Sequence, residues 1–140
     1  MDVKLAVLAD FASLTREGKL NILGIFDQVN PAQLPAVVPH AYVVVVYEAG
    51  PAEVGLTKEL SIVMTDSDGT IMTRIDQSVA VSPPAYAGSR TTIHQINGLM
   101  QLTFPSAGLY QLTILINGQE EGSIPLRVAA PPEQVLDAES

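Results

Sequence analysis

From Gly108 to Val128 apolar and polar positions alternate with a period of two. Tyr110, Leu112, Ile114 and Ile116 interleave with Leu109, Gln111, Thr113 and Leu115; beyond a turn at Asn117-Gly118-Gln119-Glu120-Glu121-Gly122, Ile124, Leu126 and Val128 interleave with Ser123, Pro125 and Arg127. Successive side chains on a strand point to opposite faces, so the pattern predicts a hairpin of two half-buried strands. The lead-in Phe104-Pro105-Ser106-Ala107-Gly108 before Leu109-Tyr110 fits the tyrosine corner that opens the penultimate strand of immunoglobulin-like sandwiches. Pro125 has no N–H to give a ladder, which assigns its strand to a sheet edge or to one-sided pairing at that point.

The same reading applies upstream. Val3 to Phe11 and Lys19 to Asp27 flank the polar turn Ser13-Leu14-Thr15-Arg16-Glu17-Gly18 and predict a first hairpin, with Gly24 marking a bulge or a close approach by another backbone. Gln28 to Pro39 holds Pro31, Pro35 and Pro39 and reads as a crossing loop. His40 to Glu48 is apolar on both faces, which marks either a central strand covered on both sides or an outer face reserved for a partner. Val43, Val44, Val45, Val46 and Tyr47 are therefore the candidate interface.

A second hairpin runs from about Leu56 through the turn Asp66-Ser67-Asp68-Gly69 to Asp76. Ser82 to Ser89 breaks the ladder, and Thr91 to Phe104 resumes it with a bulge expected at Gly98, which would bring Ile96, Met100, Leu102 and Phe104 inward after Ile93. About eight strands and no sustained helical period predict an all-β protein, an antiparallel two-sheet β-sandwich of immunoglobulin-like type. Residues 1–130 form its single domain, and 131–140 are read as a flexible acidic tail.

Fifteen acidic against seven basic side chains give a net charge of −8, which repels phosphate backbones and anionic headgroups. Nucleic-acid and membrane-surface partners are disfavoured. The hydrophobic fraction of 47% is high for a small soluble monomer and points to apolar surface shared with a protein partner or a second copy. The absence of cysteine removes disulfides and thiolate metal sites and fits the cytoplasm. The apolar run near the start is bracketed by Asp2 and Asp10 and lacks a basic flank, so neither an export signal nor a membrane span is expected.

Catalytic chemistry finds few carriers. His40 and His94 have no histidine, cysteine or glutamate at metal-ligand spacing, and Ser89 lacks the glycine-flanked setting of a nucleophile elbow. No phosphate-cradling glycine loop is present, and no cofactor is expected. Asp66 and Asp68, one residue apart in a tight loop, suit a hard cation such as calcium, and Asp10 and Asp27 would join them if the loops clustered; the residues after Gly69 lack the further oxygen ligands of an EF-hand loop. The leading expectation is a non-catalytic interaction or assembly module, with a small-ligand or calcium-binding sandwich as the alternative.

Ala9-Asp10-Phe11, the run from Gly18 to Asp27 (Gly-Lys-x-x-x-x-Gly-x-Phe-Asp), the Pro35 to Pro39 stretch, Asp68-Gly69, Gly108-Leu109-Tyr110 and Pro125-Leu126-Arg127-Val128 together resemble an uncharacterised family of small bacterial proteins. The resemblance spans nearly the whole chain. It implies a compact bacterial β-sandwich and brings no catalytic residue with it.

Overall fold

A computed structural model describes residues 1–132. Its nine strands are β1 (Asp2–Leu14), β2 (Leu20–Phe26), β3 (Gln28–Val29), β4 (Ala36–Ala49), β5 (Thr57–Thr65), β6 (Ile71–Ala80), β7 (Thr91–Phe104), β8 (Gly108–Ile116) and β9 (Gln119–Val128). They form two packed sheets, β2-β1-β4-β7 and β3-β9-β8-β5-β6. All neighbours are antiparallel except β3 and β9, which run parallel through Gln28↔Arg127 and Val29↔Val128. The ninth strand is the short β3, inside the stretch whose prolines predict a crossing loop. The tail expected at 131–140 lies, from residue 133 onward, outside the described residues.

Alternation fills the space between the sheets. Leu8, Val43, Val45 and Tyr47 from one sheet meet Leu60, Ile62, Met64, Leu112, Ile114, Ile124 and Leu126 from the other. Tyr110 forms the expected corner: its ring packs edge-on against Phe104 with centroids 4.8 Å apart, and its hydroxyl donates to the Ser106 carbonyl at 2.6 Å. A polar chain bridges the two sheets, where the buried Tyr47 hydroxyl donates to Gln95 Oε1 and Gln95 Nε2 donates to Oε1 of the exposed Gln77 at 2.8 Å, joining β4, β7 and β6. Burial pushes the Tyr47 phenol well above its usual range, so it serves as a neutral donor.

Three local features depart from the expectations. The closing turn is only Asn117-Gly118, both with positive φ (51° and 80°), the signature of a tight two-residue hairpin turn. The extra length expected in that turn is taken up by a bulge, since Ile114 faces Gly122 but Leu115 faces Glu120. Gly98 is no bulge: it pairs regularly with Tyr42, whose ring lies against it. The irregularity instead falls where the register skips Pro39, which lacks an N–H, and Gln101, which has φ of +52°. Pro39 thus belongs to β4 rather than to the crossing loop. Leu99 and Leu102 pack on the core, while Ile96 and Met100, expected inward, share the opposite face.

Candidate functional site

The register of the four-stranded sheet separates its two faces. Val3, Ala6 and Leu8 of β1 pair with Tyr47, Val45 and Val43 of β4 on the core side, so Leu5, Val7 and Ala9, paired with Val46, Val44 and Tyr42, point outward. Of the candidate interface residues, Val43, Val45 and Tyr47 are therefore inter-sheet core. Only Val44 and Val46 lie on the outward face. Val44 is fully buried there, flanked in register by Val7 and Ile96.

The outward face extends across all four strands. On edge strand β2, Leu23 and Ile25 pair with Phe11 and Ala9 and are 67% and 61% exposed. Phe11 crosses Tyr42 edge-on at 5.5 Å. On the far side, β7 contributes Ile96 and Met100, the latter 73% exposed. No Asp, Glu, Lys or Arg interrupts the outward positions from Leu5 to Phe11 or those paired with them; His94 and His40 sit beside Val46 and Met100 at its border. A contiguous uncharged, apolar surface on a folded domain is the usual mark of a contact site. Its strongest members, Leu23 and Ile25, belong to a strand that sequence reading assigned only to a hairpin. The available signal was the run Ile22-Leu23-Gly24-Ile25-Phe26, apolar on both faces like Val43 to Val46.

Gly24 shows how this edge is shaped. Its φ is +70°, and a Cβ there would collide with the Asp10 carboxylate, so the close approach is by a side chain and not by another backbone. Asp10 thus lies against β2.

The outward side of the other sheet is built differently. Ser61 Oγ donates to Asp76 at 2.6 Å, Arg74 Nε donates to both oxygens of Asp76 at 3.0 Å, and Ser78 Oγ donates to Glu59. The Ser61 hydroxyl, then the Arg74 guanidinium, holds the Asp76 carboxyl below its usual range. Charge follows the same division. The four-stranded sheet with its flanking turns carries Asp2, Asp10, Glu17, Asp27 and Glu48 against Lys4, Arg16, Lys19 and Arg90, and is nearly neutral. The other half carries Glu53, Glu59, Asp66, Asp68, Asp76, Glu120 and Glu121 against Lys58, Arg74 and Arg127.

The candidate cation pair sits in the β5–β6 turn. Asp66 Oδ1 accepts the main-chain N–H groups of Asp68 and Thr70, both at 2.9 Å, so the carboxylate is engaged in holding the turn. Among the described residues no group of three or more His, Cys, Asp or Glu side chains is placed to hold a metal ion. A separate cluster lies at the 3-10 turn Pro51–Glu53, where Glu53 accepts from the Met1 ammonium at 2.7 Å, Lys58 Nζ at 2.9 Å and the Gly50 N–H at 3.0 Å. These donors hold its carboxyl down at about 2. Among the described residues no helix is long and apolar enough to cross a membrane.

These features define a two-sheet β-sandwich with one polar, acidic outer face and one neutral, apolar outer face. A family model described as a family of unknown function, DUF6941, matches residues 4–129, and the chain belongs to that family. The match runs from β1 to just past β9, so the family is defined by the whole sandwich. No curated protein matches the chain.

Proposed function

We propose that this chain is a non-catalytic interaction module that assembles through the outward face of its four-stranded sheet. The observation that carries the reading is the exposure of Leu23, Ile25 and Met100 on a face that has no charged side chain between them. Leaving such a surface in water forgoes about 25 cal/mol for each Å² that a partner would cover. The cysteine-free, acidic chain supports a cytoplasmic setting and a protein rather than a nucleic-acid partner. Calcium binding at Asp66 and Asp68 has less support, because Asp66 already caps its own turn.

The test is the size of the complex that contains this chain in extract of the cells that produce it. Wild type should elute well above its 14.9 kDa monomer mass, and Leu23→Lys/Ile25→Lys should elute near it. Leu109→Lys, an exposed position on the other sheet, should behave as wild type. Equal elution of wild type and the double variant would refute the proposal.

A further inference from the structure

We infer that the occupant of this face is a second copy of the same chain, packed sheet against sheet about a two-fold axis; this rests on the interaction reading above. The first argument is electrostatic. A basic partner would be drawn to the acidic five-stranded half, whereas the neutral four-stranded face selects a neutral, apolar counterpart. A second copy of that face is such a counterpart, and an isologous contact needs only self-complementarity.

The geometry also relieves the repulsion between two acidic chains. Packed sheets are about 10 Å apart, so four stacked layers hold the two five-stranded sheets roughly 30 Å from each other. That separation is several times the Debye length of about 8 Å at physiological salt. Stacking through the five-stranded faces would instead bring Glu59 and Asp76 of one copy to within about one layer spacing, roughly 10 Å, of the same residues of the other.

The area sets the strength. From Leu5 to Phe11 the face is about 20 Å long at ~3.3 Å per residue, and four strands at ~4.8 Å make it about 19 Å wide. Side-chain relief adds to that footprint, so two copies would bury on the order of 1,000 Å², the lower end for a specific interface. A dimer of that size has an affinity on the order of micromolar or weaker, and its population varies with concentration.

The experiment is sedimentation equilibrium of the purified wild-type chain, Leu23→Lys/Ile25→Lys and Leu109→Lys, each checked for a wild-type melting transition. Wild type and Leu109→Lys should rise from 14.9 kDa towards twice that mass as concentration increases, and the double variant should stay at the monomer mass. A purified wild type that is monomeric throughout, with Leu23- and Ile25-dependent assembly still seen in extract, would overturn self-association and leave the interaction reading standing. Monomer in both settings would overturn both. A dimer untouched by the two lysines would overturn the placement of the contact.

Discussion

The two outer faces of this sandwich come from the same strand chemistry and end in opposite states. On the five-stranded sheet the outward positions Glu59, Arg74, Asp76 and Ser78 meet water, and bonds among them and to the buried Ser61 tie the layer together. On the four-stranded sheet the equivalent layer is Leu5, Val7, Phe11, Leu23, Ile25, Tyr42, Val44 and Val46. An antiparallel sheet with one solvated side needs only one apolar face. The second apolar face adds nothing to the inter-sheet core, and the contact outside the monomer proposed above would account for its composition.

The sharpest way to break this comparison is to place the same charge on the two sides of the four-stranded sheet. Val45→Lys puts an unpaired ammonium into the core and should abolish cooperative folding, read as loss of the thermal transition in circular dichroism. Leu23→Lys should leave the midpoint nearly unchanged, within about 0.5 kcal/mol, as befits an exposed position. Comparable losses from both would mean that the outward face belongs to the folding core.

Next in size is the corner that fixes the five-stranded sheet. Tyr110→Ala should cost about 3–5 kcal/mol in urea unfolding, because it leaves a cavity beside Phe104. Tyr110→Phe should cost only about 1 kcal/mol, the worth of the bond to Ser106. Similar costs for the two would show that the ring itself is dispensable.

At the edge of the apolar face, Gly24→Ala should cost about 1–2 kcal/mol for holding a side chain at positive φ. Adding Asp10→Ala removes the collision but not the strained φ, so the pair should recover part of the loss in a double-mutant cycle. Full additivity would show that Asp10 and Gly24 do not meet.

The smallest effect concerns acid. The Glu53 carboxyl is lowered from 4.5 to about 2 in the folded chain, so its contribution to stability is complete above pH 4.5 and is lost as pH falls towards 2. Glu53→Gln should therefore flatten the decline of the melting temperature between pH 4.5 and 2, a window set by these two values. An unchanged slope would remove Glu53 from the acid response.

Much of the frame was legible in sequence because strict alternation leaves one reading of each strand. The hairpins follow from it, the Tyr110 corner follows from its lead-in, and the one-sided pairing of Pro125 follows from its missing N–H; the short β3, which covers only Arg127 and Val128, was not foreseen. What alternation does not carry is the facing of a strand apolar on both sides. Val43 to Tyr47 contains no polar residue to fix its phase, and three of the five candidates proved to be core. Gly98 misled for a related reason: a missing side chain signals either a bulge or a neighbour's ring, and here it receives Tyr42. The interruption of the ladder sits instead at Gln101, whose φ is positive and whose opposing residue is Pro39, and the register is the same on either side of it.

The most direct test sets the two faces against each other in one sample, by photoactivated carbene labelling of dilute and concentrated protein followed by peptide mass spectrometry. Labelling at Leu23, Ile25 and Met100 should fall as concentration rises, while labelling at Leu109, also more than half exposed, stays constant. Constant labelling at all four positions, or protection at Leu109 in place of the others, would contradict the account.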